Sequence, residues 1–225
     1  MIDTFVYLHG FLSSPSSFKG QIVKQFGDKK RIKTIFFDLY PTKEEFTQMT
    51  VDKQVKRLAT FLLEKKPEEY ILIGSSFGGL LSLEAVSRFK EDKKFPLPKA
   101  ILLLAPALWF KECPLEFLQE DKIKKWKEQG KLFFYHPKFR EKIPLNYDFY
   151  ESLSNTIAEK AKLELPIYII HGKKDESVPW AHSKKYAEMN PKNVKLILVD
   201  DGHKLTHSSK KIIDVLEEML QKIES

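Results

Sequence analysis

Gly74-Ser75-Ser76-Phe77-Gly78 spells G-x-S-x-G between an apolar, β-branched run at 70–74 and a helical pattern at 77–90. A strand that turns sharply into a helix at a serine lifts the hydroxyl clear of the backbone and holds that serine in a strained conformation. The residues two before and two after then come too close for side chains, which is why glycine stands at Gly74 and Gly78. Gly79 lets the helix pack near the strand. The free N–H groups at the helix start face the same point and favour developing negative charge. Ser76 is therefore a candidate nucleophile.

Outward from this turn, short apolar runs alternate with longer amphipathic stretches. Strands are expected at 4–9, 32–38, 70–74, 99–105, 167–171 and 194–199, apolar nearly throughout, as strands covered on both faces should be. Helices are expected at 51–66, 77–90, 154–162, 180–189 and 208–223. In the first of these, Val51, Val55, Leu58 and Leu62 share one stripe. Strand–helix alternation predicts a parallel α/β sheet with right-handed crossovers in one domain spanning 1–225. One connection breaks the rhythm. From 106 to about 153 there is no strand signal, yet eleven aromatics crowd it, from Trp109 to Tyr150. Too apolar for disorder, it reads as a partly helical lid inserted over the sheet, its helix at 115–129 ended by Gly130.

A serine hydroxyl needs a base in hydrogen-bond reach, and the base needs a carboxylate to orient it. Asp175 lies just past the fifth expected strand and His203 just past the sixth, at C-terminal strand ends where sites in open α/β sheets form. Glu176 is the fallback acid. Asp200 and Asp201 are too near His203 in sequence to reach its ring, and Asp38 suits structural hydrogen bonds in its loop. An oxyanion needs two N–H donors. The amide of Phe77 follows the nucleophile, and His9-Gly10-Phe11-Leu12 follows the first strand, with Phe11 the preferred donor and Leu12 second. Leu12, Trp109, Phe110 and Trp180 are the candidate substrate contacts, the last three because each lies just beyond a strand end.

The remaining chemistry-bearing residues read as structural. His9 shapes its loop, His171 packs at a strand end, and His136 and His182 belong to the surface or the lid. His203 and His207 have zinc spacing but no third ligand, so neither a metal nor a cofactor is expected. Cys113, the only cysteine, has no base placed for it and excludes an internal disulfide. A net charge of +7 raises the question of nucleic acid, but the lysines are interleaved with acids, as at 116–128, and no nucleic-acid motif accompanies them. No run reaches the ~20 apolar residues of a membrane span, and the start of the chain lacks a secretory pattern. A cytoplasmic protein acting on a small-molecule partner is the expectation, with its oligomeric state open.

Leu8-His9-Gly10-Phe11, Gly74-Ser75-Ser76-Phe77-Gly78-Gly79, the stretch His171-Gly172-Lys173-Lys174-Asp175 continuing to Trp180, and Asp201-Gly202-His203 together resemble the α/β-hydrolase superfamily. His9-Gly10-Phe11-Leu12-Ser13-Ser14-Pro15 is similar to small bacterial esterases of the YqiA/YcfP-like group. Val178-Pro179-Trp180 and Asp201-Gly202-His203-Lys204-Leu205 resemble a related branch that hydrolyses acyl thioesters and acyl esters. The resemblance implies a sheet of about six parallel strands in spatial order 2-1-3-4-5-6, since only eight residues precede His9 where the superfamily has a further hairpin. It also implies a serine hydrolase cleaving esters or thioesters through Ser76, His203 and Asp175. C–C bond hydrolysis on the same triad, and a non-enzymatic ligand sensor of the same fold, are the alternatives.

Overall fold

The computed structural model describes residues 1–224, so that Ser225, the end of the expected domain, lies outside the described residues. Six strands form a fully parallel sheet: β1 (Thr4–Leu8), β2 (Lys33–Phe37), β3 (Tyr70–Ser75), β4 (Ala100–Leu104), and the last two, Ile167–Gly172 and Val194–Val199. Their spatial order is β2, β1, β3, β4, then the fifth and the sixth, which is the expected winding. Successive side chains point to opposite faces. Val6, Leu8, Leu72, Ile101, Leu103 and Ile169 enter one core, and Phe5, Tyr7, Ile71, Ile73, Leu102 and Ile170 enter the other. Both faces are covered, so the strands carry no polar stripe.

Helices α1 (Phe18–Lys30) and Ser209–Glu224 cover the second core, and α3 (Val51–Lys65) and α4 (Phe77–Phe89) cover the first; the short α2 (Lys43–Thr47) precedes α3. Thr50 caps α3, its Oγ1 accepting from the Lys53 N–H at 3.1 Å, and Val51, Val55, Leu58 and Leu62 bury the expected stripe. Helix α1 was not expected. Its apolar positions Ile22, Val23 and Phe26 are flanked by Gly20 and Gly27. Both are contact residues: a Cβ on Gly20 would lie 2.7 Å from Pro15 O, and one on Gly27 would lie 2.8 Å from Ile32 O.

The insertion and the segment after it correct the sequence reading in three places. It contains two strands, β5 (Lys131–His136) and β6 (Glu141–Asn146), paired antiparallel in a hairpin. The helix expected at 115–129 is α5 (Glu120–Gln129), preceded by a 3₁₀ turn and closed by Gly130 at φ 69°. The helix expected at 154–162 does not form. Past a 3₁₀ turn at Leu153–Asn155, the backbone N–H groups of Ile157 and Ala158 donate to the buried Glu84 carboxylate of α4, at 3.0 and 2.8 Å, instead of to helical carbonyls. After β6 come α6 (Asp148–Ser152) and then the two strands numbered β7 (Ile167–Gly172) and β8 (Val194–Val199), flanked by α7 (Trp180–Met189) and α8 (Ser209–Glu224).

The insertion is filled with rings. Trp126 is fully buried against Phe117, Phe134, Tyr147, Phe149 and Tyr150, and its Nε1–H donates to Leu145 O at 2.9 Å. Several polar ties fasten it to the sheet layer. Lys138 Nζ donates to Asp38 Oδ2 at 2.7 Å and to the Tyr40 and Pro41 carbonyls. The Val51 N–H donates to Ser152 Oγ at 3.0 Å. Among the described residues no helix is long and apolar enough to cross a membrane.

Candidate active site

Ser76 follows β3 with φ 53° and ψ −120°, a conformation that non-glycine residues rarely adopt and that the surroundings must enforce. Leu104 O accepts its N–H at 3.1 Å, and its carbonyl accepts the N–H of Ala107 at 3.0 Å. The end of β4 therefore clamps the backbone of Ser76. Gly74 and Gly78 are required for close approach: a Cβ on Gly74 would lie 2.6 Å from Gly79 Cα, and one on Gly78 would lie 2.6 Å from Leu8 O. A serine at a helix N-cap normally accepts a bond from its own helix. Ser76 makes none, leaving the hydroxyl free to face outward.

That hydroxyl lies 3.0 Å from His203 Nε2, and His203 Nδ1 lies 2.7 Å from Asp175 Oδ2. A carboxylate only accepts, so His203 carries its proton on Nδ1 and offers Nε2 to the serine. The Asp175 side chain is fully buried with all four acceptor sites used. Oδ1 takes the N–H groups of Ser177 and Val178, at 2.9 and 2.8 Å, and Oδ2 takes His203 and His171. Burial alone would raise its carboxyl; hydrogen bonds from His171 and His203 outweigh that and hold it well below the usual range. Burial also pushes the His203 imidazole down from its ordinary value, against the raising effect of Asp175, which favours a neutral ring.

His171 does more than pack. Its Nε2 faces Asp175 Oδ2 at 3.1 Å and the Val178 carbonyl at 3.0 Å, both acceptors, so that nitrogen carries the proton. The Ser183 hydroxyl donates to its Nδ1 at 2.7 Å. A buried Ser183–His171 pair thus braces Asp175 from behind. Asp201 is likewise a builder: its carboxylate accepts from Gly202 N–H, His207 N–H and the Ser208 hydroxyl, all at 2.8 Å, and shapes the loop that carries His203. Asp200 pairs with Lys174 at the surface, and Glu176 is exposed.

The loop after β1 lies directly on the serine. A Cβ on Gly10 would sit 3.0 Å from Ser76 Cβ and 3.6 Å from its Oγ. The Tyr40 hydroxyl pins this loop, donating to Gly10 O at 2.8 Å and accepting from Ser13 N–H at 3.1 Å, and Leu12 within it takes φ 52°. His9 is buried: its Nδ1 lies 3.0 Å from Gly10 O, and its Nε2 accepts from Leu39 N–H at 3.1 Å and lies 3.2 Å from Asp38 Oδ1, so the ring ties this loop to the one after β2. The Phe11 ring turns away into the aromatic core, touching Phe46, Phe77, Phe110, Phe117, Phe134 and Phe149.

A cavity of about 410 Å³ opens onto Ser76 between this loop and His203. Of the four expected substrate contacts only Leu12 lines it. Phe110 is buried among lid rings, Trp109 lies against His182 and under Lys185, and Trp180 starts α7; none borders the cavity. The lining that was not anticipated comes from the start of α1, with Phe18 and Lys19, and from Lys204. A lysine in the first turn of a helix, against the helix dipole, was the available signal. Cys113 is a buried lid thiol pushed up to about 12 by burial. His136 is fully buried on β5 and does not lie on the surface.

A family model described as an uncharacterised protein family, UPF0227, matches residues 4–221. The mitochondrial palmitoyl-protein thioesterase ABHD10 of Mus musculus is 25% identical over 189 residues, covering 81% of this chain and 62% of that protein. The chain thus spans less than two thirds of that relative. The uncharacterized protein YfhR of Escherichia coli K12 is 36% identical over 56 residues, 25% of this chain and 20% of that protein. Among solved structures, mouse α/β hydrolase domain-containing protein 10 superposes with a TM-score of 0.76 at 22% identity, covering 98% of this chain and 90% of that one. Est1E of Butyrivibrio proteoclasticus with ferulic acid bound gives a TM-score of 0.81 at 21% identity, covering 99% and 90%. The fold is that of the α/β hydrolases.

Proposed function

The chain belongs to the uncharacterised protein family UPF0227, and from that premise we propose that it is a serine hydrolase cleaving carboxylic esters and thioesters through an acyl-enzyme on Ser76. The observation that carries this reading is the unbroken run of contacts from Asp175 through His203 to Ser76, ending at a cavity mouth. His203 takes the hydroxyl proton as Ser76 Oγ attacks the carbonyl carbon. The oxyanion forms against the N–H of Phe77, first of α4, and the N–H of Phe11 in the pinned loop. His203 then gives its proton to the departing alcohol or thiol. Water, deprotonated by the same ring, releases the acid and restores the serine. Asp175 holds the ring in the productive tautomer and stabilises the imidazolium.

The names of the relatives support acyl transfer: one is a palmitoyl-protein thioesterase, and another, Est1E, has ferulic acid bound. The test is labelling of the intact protein with a fluorophosphonate, followed by mass mapping. The expected result is a single adduct on the peptide bearing Ser76, absent in Ser76→Ala. An adduct elsewhere, or undiminished ester hydrolysis by Ser76→Ala, would remove the assignment.

A further inference from the structure

We propose that the cavity at Ser76 takes an ester or thioester bearing a negatively charged substituent, and that the Lys19 ammonium receives that charge. The proposal rests on the hydrolase reading above and names its substrate class.

Lys19 is 6% exposed and lines the cavity with Ser76 and His203. Its Nζ donates to Leu104 O at 3.3 Å, the same carbonyl that accepts the Ser76 N–H at 3.1 Å, so ammonium and nucleophile are neighbours across one oxygen atom. An ammonium has three donors, and this bond uses one of them. Asp175 and Asp201 act on Lys19 through space, but their oxygens are already bonded to His171, His203, Ser177, Val178, Gly202, His207 and Ser208. Among the described residues Lys19 forms no ion pair. A buried charge without a bonded counter-ion opposes folding, and burial lowers this amine to about 8, which still leaves it cationic at neutral pH.

Its place in the chain compounds the cost. Lys19 is the second residue of α1, whose first turn holds no acid, so its charge adds to the free N–H groups of the helix end. Lys204, next to His203, borders the same space. Lys19 and Lys204 thus give the recess ammonium groups, and the carboxylates that act on Lys19 are bonded elsewhere; an anionic ligand there complements them, and low-dielectric walls focus the attraction.

The experiment compares matched esters on the full chain. Mono-4-nitrophenyl adipate against 4-nitrophenyl hexanoate places a carboxylate on the acyl side. 4-Carboxyphenyl butyrate against phenyl butyrate places it on the leaving group. The wild-type protein should favour one charged member over its neutral twin by about 10-fold or more in kcat/KM, mostly through KM, and the pair that shows this tells which side faces Lys19. Lys19→Met should cut that ratio by a similar factor, while Lys19→Arg keeps part of it. Neutral twins preferred in both pairs by the wild-type protein would overturn the proposal without any variant. So would an equal loss by Lys19→Met on all four esters, which would mean that Lys19 acts on Ser76 or His203. Failure to cleave any of the four, with no fluorophosphonate adduct, would instead remove the hydrolase reading, and this assignment with it.

Discussion

The sheet with its three loops and the inserted layer at 106–153 are built on different principles. In the sheet region a few backbone positions carry the design: Ser76 at φ 53°, Gly74 and Gly78 with no room for a Cβ, and loops at C-terminal strand ends that meet above β3. In the insertion the rings carry it, with Trp126 and Phe134 at the centre of a cluster sealed by the β5–β6 hairpin. One region is specified by geometry and the other by volume. Changes in the first should strike chemistry, and changes in the second should strike stability.

The largest test of that contrast is Asp175→Asn. The side chain keeps its shape but loses the charge that fixes the His203 tautomer, and kcat should fall by about 10⁴. Steady-state kinetics on any cleaved ester, with circular dichroism to show the fold retained, measures it; a loss under tenfold would mean that another group orients His203. Next comes Trp126→Ala, which empties a fully buried site and deletes the bond to Leu145 O, and should cost about 3–5 kcal/mol in denaturant unfolding. A cost under 1 kcal/mol would show that the insertion's rings are not a packed core. The smallest effect is the acid limb of kcat/KM. Only neutral His203 accepts the serine proton, and burial lowers its pKa, so activity should rise with pH through a midpoint below the ordinary imidazole value of about 6.5. A midpoint at 7 or above would contradict that environment.

The same contrast explains what could be read in advance. The sheet was legible because strands buried on both faces are apolar runs, and because G-x-S-x-G between a strand and a helix admits few explanations. The order Ser76, Asp175, His203 located two more strand ends. The hairpin was hidden for two reasons. In β5 the outward residues Phe133 and Tyr135 are themselves aromatic, 55% and 58% exposed, so the alternation with buried Phe134 and His136 leaves no polar–apolar pattern. In β6, Pro144 argues against a strand and is tolerated because the two-stranded ribbon is all edge. Three of the four expected substrate contacts lie off the cavity at Ser76. Trp109, Phe110 and Trp180 do follow strand ends, but the volume beside them is taken by lid rings or by α7, and the open space lies on the α1 side. His171 and Ser183 could not be paired from sequence, since their contact exists only once α7 folds against β7.

The fastenings of the inserted layer bear on molecular traffic. Lys138 holds its middle to Asp38, while Glu84, on the helix that Ser76 opens, and Ser152 hold its exit. None of the layer's residues borders the cavity at Ser76, whose rim is formed by the half-exposed Phe18 and by Lys204. On the proposed hydrolase reading, the width of that rim, and not the travel of a flap, sets the largest alcohol or thiol that can depart.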